Sequence, residues 1–345
     1  MPAVVNPVTQ RRVGAAGALA VAAVVSLTVS AAKAAVVFND TFASSTINLT
    51  STPSGNSTSY DIASARSATA SIAPGHLLIT QAKSTSTIVE AQAVFTSSPI
   101  TLATAGDSIE LTVTFTDTVG VPVAMYFGLY NSGGTVPFTD LMNGSTSATP
   151  PTGLNSVATG DAFGGVQNWQ GYNANLQGGN TATSYKIQTR PKQTGTTNTN
   201  QDLLTAGASS SQSYSGASQL GSAANPGTIQ FVVGNQYTED FVITMMAGGT
   251  YSFTSNLYAG ASASGSPLVT INGADPSTAS PPLGPFLYNG FDGLAFGNRE
   301  TDNLGDAMDV QSVMVSTNVA AVPEPASLGA IAVAGLALLT RRRKA

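Results

Sequence analysis

Oxygen-bearing side chains crowd one short stretch near the end of the chain: Asp292, Glu300, Asp302, Asn303, Asp306 and Asp309. Hard oxygen donors at this density suit Ca²⁺, which takes roughly six to eight of them at about 2.3–2.6 Å. The spacing does not follow the twelve-residue calcium loop, and the plainer reading is a solvated acidic face. Ca²⁺ is the one cofactor the sequence suggests, on Asp292, Glu300, Asp302, Asp306 and Asp309. A second group surrounds the only tryptophan. Trp169 sits among Gln167, Asn168, Gln170, Tyr172, Asn173 and Asn175. An aromatic ring flanked by amides can stack on a pyranose while the amides bond its hydroxyls. Trp169 and Tyr172 are thus candidate glycan contacts, set against a core tryptophan with its N–H satisfied.

Other chemistries are thinly supplied. His76 is the only histidine and there is no cysteine. A Ser-His-Asp triad would need His76 as base, yet His76 follows the turn signal Pro74-Gly75, and no Gly-x-Ser-x-Gly elbow occurs. Zinc sites built on His and Cys are excluded by count. Glycoside hydrolysis needs only two carboxylates, and Glu90, Glu110, Asp117, Glu239 and Asp240 lie on or beside expected strands. The nearest approach to a glycosidase strand motif, Glu300-Thr301-Asp302, runs on into Asn303-Leu304-Gly305 without a second glutamate. No catalytic residue is assigned, and the expectation is a protein that is not an enzyme.

Strands must position these groups. From Ser108 to Asp117, Ile109, Leu111, Val113 and Phe115 point one way and Glu110, Thr112, Thr114 and Thr116 the other, the period of a half-buried strand. Val123 to Tyr130 is apolar on both faces, as a central strand is. Asp240–Met246 and Thr250–Tyr258 flank Ala247-Gly248-Gly249, a hairpin signal. Further strands are expected at Val36–Phe42, His76–Gln81, Thr87–Phe95, Tyr185–Thr189, Thr228–Val233, Phe291–Phe296 and Ala307–Ser316. No stretch of the body carries a capped helical period. The fold class is all-β, an antiparallel two-sheet sandwich in one domain over residues 35–318. Long polar insertions run from Asn131 to Gly165 and from Pro191 to Gly227.

The two ends read as targeting segments. Arg11-Arg12 precede an Ala-, Val- and Gly-rich run, and Ala32-Lys33-Ala34 fits the small-x-small cleavage pattern, so residues 1–34 are expected to be a signal peptide cut after Ala34. At the other end, residues 319–345 hold Val322-Pro323-Glu324-Pro325, an apolar helix over 326–340, and Arg341-Arg342-Arg343-Lys344. The apolar run is short for a full span, and the basic end acts as a stop on the cytoplasmic side. Between these ends the chain keeps 6 basic against 17 acidic residues, a net charge of −11. Such a surface repels phosphates, which excludes a nucleic-acid role.

The tail resembles the PEP-CTERM sorting signal of exopolysaccharide-producing bacteria. The resemblance implies recognition of Val322, Pro323, Glu324 and Pro325 by an exosortase-type membrane peptidase, with transient anchoring through the tail. The body resembles exported PEP-CTERM proteins of Verrucomicrobia-like bacteria, whose sandwich is similar to the concanavalin A-like jelly roll. Residues 37–42, 107–111, 126–131 and 291–297 carry that likeness. Three functions are implied: a non-enzymatic surface or matrix protein associated with exopolysaccharide, a lectin-like carbohydrate-binding module, or a glycoside hydrolase or polysaccharide lyase. Each places the protein in the cell envelope, at the surface or in the matrix.

Overall fold

A computed structural model describes residues 34–47, 59–65, 68–81, 88–118, 123–135, 140–141, 166–177, 185–192, 203–204, 219–222, 229, 231–275, 288–300 and 305–319. The described strands, in chain order, begin with β1 Ala35–Asp40, β2 Thr46–Ile47, β3 Ser59–Ala65, β4 Ala68–Ala73, β5 His76–Gln81 and β6 Ile88–Val94. There follow β7 Ile100–Thr101, β8 Ser108–Asp117, β9 Val123–Asn131, β10 Asp140–Leu141, β11 Gln170–Gln177, β12 Lys186–Arg190 and β13 Gln219–Ser222. The chain continues through β14 Gln236–Met245, β15 Tyr251–Ala259, β16 Val269–Asp275, β17 Gly290–Phe291, β18 Gly293–Glu300 and β19 Asp306–Thr317.

These strands form two layers. The first runs β3-β6-β18-β9-β11-β12. The second runs β16-β15-β14-β8-β19, with β1 and β5 sharing the far edge of β19 and β4 outside β5. Strand β13 pairs with both β12 and β16 and stitches the layers together along one side. Nearly every pairing is antiparallel; the short β2 and β10 lie parallel to β3.

Period two decides which side chains fill the space between layers. Ile109, Leu111, Val113 and Phe115 of β8 are fully buried, and so are Met125, Phe127 and Leu129 of β9. Each such side chain contributes roughly 1.5–3 kcal/mol by leaving water. Phe115 and Phe127 stack across the interior, ring centroids 5.8 Å apart. The alternating β8 and the two-faced central β9 thus stand as their sequences require, and β14–β15 form the hairpin around Gly248 and Gly249, both at positive φ.

One expected strand is absent. Across Thr228–Val233 the described residues are irregular: Phe231 packs on Tyr237 and Phe115, while the Val232 N–H donates to the Tyr237 hydroxyl at 2.9 Å. The apolar run therefore plugs the end of the core and joins no ladder. Conversely, β3, β4, β13 and β16 lack a clean apolar alternation and escape a hydrophobic reading.

Two neighbouring carboxyls interrupt β14. Glu239 shares the inward face with Tyr237 and Phe241 and is fully buried, accepting a hydrogen bond from the Ser255 hydroxyl. Burial pushes its carboxyl well above the ordinary range. Asp240 points outward beside Glu110 and Asn256; burial first, then the Glu110 carboxyl, raises it to about 7.

Candidate functional site

The outer face of the first layer is unlike a solvated sheet face. Cross-strand partners point to the same side, so the register lays its residues in rows. One row is Val94, Gly293, Tyr130, Gly171 and Arg190. The next is Asp61, Gln92, Ala295, Gly128, Asn173 and Gln188, and the third Ala63, Glu90, Gly297, Tyr126, Asn175 and Lys186. A fourth holds Ile88, Arg299 and Ala124. Down the middle, β18 presents only Gly293, Ala295 and Gly297 before Arg299, which leaves a lane of small residues. Carboxylates and an amide flank it on β3 and β6; amides and a guanidinium flank it on β11 and β12.

Polar groups on this face are buried. Glu90 and Asn173 are fully enclosed, as is Arg190. Leu203 and Leu204 of the second insertion, with Val166 and Trp169 just after the first, roof the lane. Glu90 accepts the backbone N–H groups of Leu203 (2.9 Å) and Leu204 (3.1 Å) and the Gln92 amide (3.0 Å). The Leu203 carbonyl in turn accepts from the Tyr130 hydroxyl at 2.7 Å. Leu203, Leu204, Val166 and Trp169 pack with Tyr126, Tyr130 and Ala295 as a small second core. Gly293 has to be glycine here, because a Cβ at that point would run into the Trp169 ring. The Arg190 guanidinium binds the Trp169 carbonyl and closes this end of the lane.

Against that background some acceptors stand out. Asn175 and Gln188 are 5% and 6% exposed, and their side-chain oxygens have no protein partner among the described residues. A buried polar atom left unbonded costs about 1–3 kcal/mol, so the face is built with places for something that donates.

The predicted glycan platform needs correction. Trp169 is fully buried, its ring 6.2 Å from Tyr130 and its Nε1–H donating to the Thr135 carbonyl at 3.2 Å. Tyr172 lies on the opposite side of β11, in the sandwich core, with its ring centroid 4.6 Å from that of Phe253 and its hydroxyl on Asp275 at 3.0 Å. Burial and the Asp275 charge both push that phenol upward. Neither ring offers a face to a sugar. The alternation of β11 gives the reason: Tyr172, Ala174 and Leu176 go inward, so Asn173 and Asn175, two of the flanking amides, go outward onto the lane.

Two members of the acidic cluster are set apart. Asp292 opens the β18 end of the first layer, where its carboxylate accepts the Ser132 N–H (2.6 Å) and hydroxyl (2.7 Å). Asp309 belongs to β19 in the second layer and stands 3.0 Å from His76 Nδ1. Strands β18 and β19 go to different sheets, so these two are not brought together. Glu300 ends β18 and Asp306 opens β19, while Asp302 lies outside the described residues. Among the described residues no three His, Cys, Asp or Glu side chains gather as a metal site. Ala34 is exposed just before β1; Ala32, Val322 to Pro325 and Arg341 to Lys344 lie outside the described residues.

No family model matches the chain, and no curated protein matches it either. Solved structures of similar shape include lectin II from Ulex europaeus, 15% identical over 78% of this chain and 97% of that one, with a TM-score of 0.35. The exoplasmic/lumenal domain of VIP36 in a Ca²⁺/Man2-bound form is 12% identical over 80% and 88%, with a TM-score of 0.37. A legume lectin-like domain from Entamoeba histolytica is 10% identical over 74% and 88%, with a TM-score of 0.35. Likeness at this level says nothing about a site.

What the sequence reading overlooked was the lane itself. A signal was present: Gly293-Leu294-Ala295-Phe296-Gly297 alternates small and large residues, with Leu294 and Phe296 in the core and the small set outside. Glu90 offered none, because only the register places it beside Gly297 and Ala63.

Proposed function

We propose that the chain is an exported, non-enzymatic, concanavalin A-like sandwich that binds carbohydrate along the outer face of its first layer. The observation that carries this reading is the pair of buried, unpartnered acceptors on Asn175 and Gln188, beside a floor of Gly and Ala residues. The Trp169 and Tyr130 rings already cover Gly293 and Gly128, so a sugar would enter from the opposite end of the lane, and amides are the groups that bond sugar hydroxyls. Glu90 is held by three donors, which suits a positioning group better than a proton-transferring acid. Titration of the body with an exopolysaccharide panel tests this. The Asn175→Ala/Gln188→Ala double variant should lose roughly 10-fold or more in affinity, about one hydrogen bond's worth per site, with its melting temperature kept. Equal binding by variant and parent would remove the assignment.

Delivery rests on the ends. The Pro-Glu-Pro motif, the short apolar run and the basic terminus support sorting by an exosortase-type peptidase, with exopolysaccharide as the destination. Because Ala35 pairs with Thr317, the two segments would leave the body side by side. Mass spectrometry of the mature extracellular protein should then find a start at or near Ala35 and no peptide from 326–345. A retained C-terminus would overturn the sorting account.

A further inference from the structure

The far end of the lane carries a charge arrangement that a neutral sugar does not explain. Between residues 35 and 322 the chain has six cations against 17 anions, yet Lys186, Arg190 and Arg299 all belong to this one face. Arg190 is committed to the Trp169 carbonyl. The other two stand where the lane opens: both are only part-buried, whereas the Trp169 end is sealed. Arg299 faces Ala124, one row beyond Tyr126, Asn175 and Lys186. Its Nε is buried with no hydrogen-bond partner among the described residues. The ammonium of Lys186 is held below its ordinary value, by burial first and then by the Arg299 charge. Lys186 on β12 and Arg299 on β18 thus belong to adjacent rows of the face, with β9 and β11 between them. On so acidic a protein, carboxylates for them were plentiful in the sequence, yet neither forms an ion pair among the described residues.

We propose that the open end of the lane receives an acidic saccharide, a uronate whose carboxylate sits between Arg299 and Lys186 while its hydroxyls reach Asn175 and Gln188. This rests on the carbohydrate reading and names its ligand class. A guanidinium edge presents donors in the fork that a carboxylate matches, and the anion would relieve the repulsion between the two cations.

The test uses alginate oligosaccharide, its carboxyl-reduced counterpart and dextran sulfate, titrated into the whole body at low and moderate salt. Alginate is expected to bind at least 10-fold more tightly than its reduced form, with affinity falling as salt rises. Arg299→Gln and Lys186→Gln should each remove most of that difference, and Arg299→Lys should keep part of it; melting curves check that the variants are folded. Equal binding of alginate and the reduced form overturns the uronate assignment while leaving carbohydrate binding intact. Dextran sulfate binding as tightly as alginate overturns it too, in favour of any polyanion. Binding of none of the three, nor of the wider exopolysaccharide panel, sinks both readings.

Discussion

Replacing Trp169 with alanine is expected to destabilise the body by about 3–5 kcal/mol, the cost of deleting a large buried aromatic. The ring is fully enclosed between Gly293 and Tyr130, and its N–H is spent on the Thr135 carbonyl. Its loss leaves a void over a glycine, which has no side chain to fill it. Collapse is also resisted because the Arg190 guanidinium holds the neighbouring backbone. For a domain of this size each kcal/mol moves the melting temperature by roughly 2–4 °C, so a drop near 10 °C should be seen in a thermal melt. A ring serving only as an exposed sugar platform would leave the melt in place. A change within a degree of the parent would contradict the packing described for Trp169.

The second large effect is with pH. Asp240 has an ordinary value of 3.8 and is raised to about 7 in the folded protein. Below pH 4 it is protonated whether folded or not, and its full contribution is present. Between pH 4 and 7 the unfolded chain releases the proton freely and the folded chain resists, so stability falls as pH rises. The difference is on the order of 4 kcal/mol at most. Glu239, Asp275 and Asp292 are raised as well, each chiefly by burial, and act in the same direction. Urea midpoints should therefore decline from pH 4.5 to pH 7.5. Asp240→Asn should flatten part of that decline and be more stable than the parent at pH 7.5. A midpoint that rises over this interval, or a variant that loses stability at pH 7.5, would contradict the burial described for Asp240.

How far the sequence could be read depended on where specificity resides. Where one strand's own alternation decides its environment, as in β8 or β9, the residues declare it: apolar at every second position, or at all of them. The lane depends on register between strands far apart in the chain. Nothing near Gln92 foretells that Ala295, Gly128 and Asn173 will stand beside it, because each pairing is fixed by turns and insertions elsewhere. Trp169 misled for a related reason. Amides around an aromatic look like a binding surface until the strand period sends Tyr172 inward and Asn173 outward. Asp292 and Asp309, read as one cluster, part because β18 and β19 join different layers. Local chemistry was legible; which layer received it was not.

The placement of β19 also governs when this molecule can fold. It is the last of the described strands, yet it lies inside its sheet, bonded to β8 on one edge and to β5 and β1 on the other. Until Asp306 to Thr317 are available, β8 and β5 each present an open ladder, and β1 has no partner at all among the described strands. Closing the second layer therefore joins the first and last strands of the body, the slow, long-range kind of contact. A chain emerging from the ribosome carries β1, β5 and β8 long before the strand that must pair with them. Until that final strand arrives the unfinished sheet keeps open edges, the kind that pair wrongly with other chains.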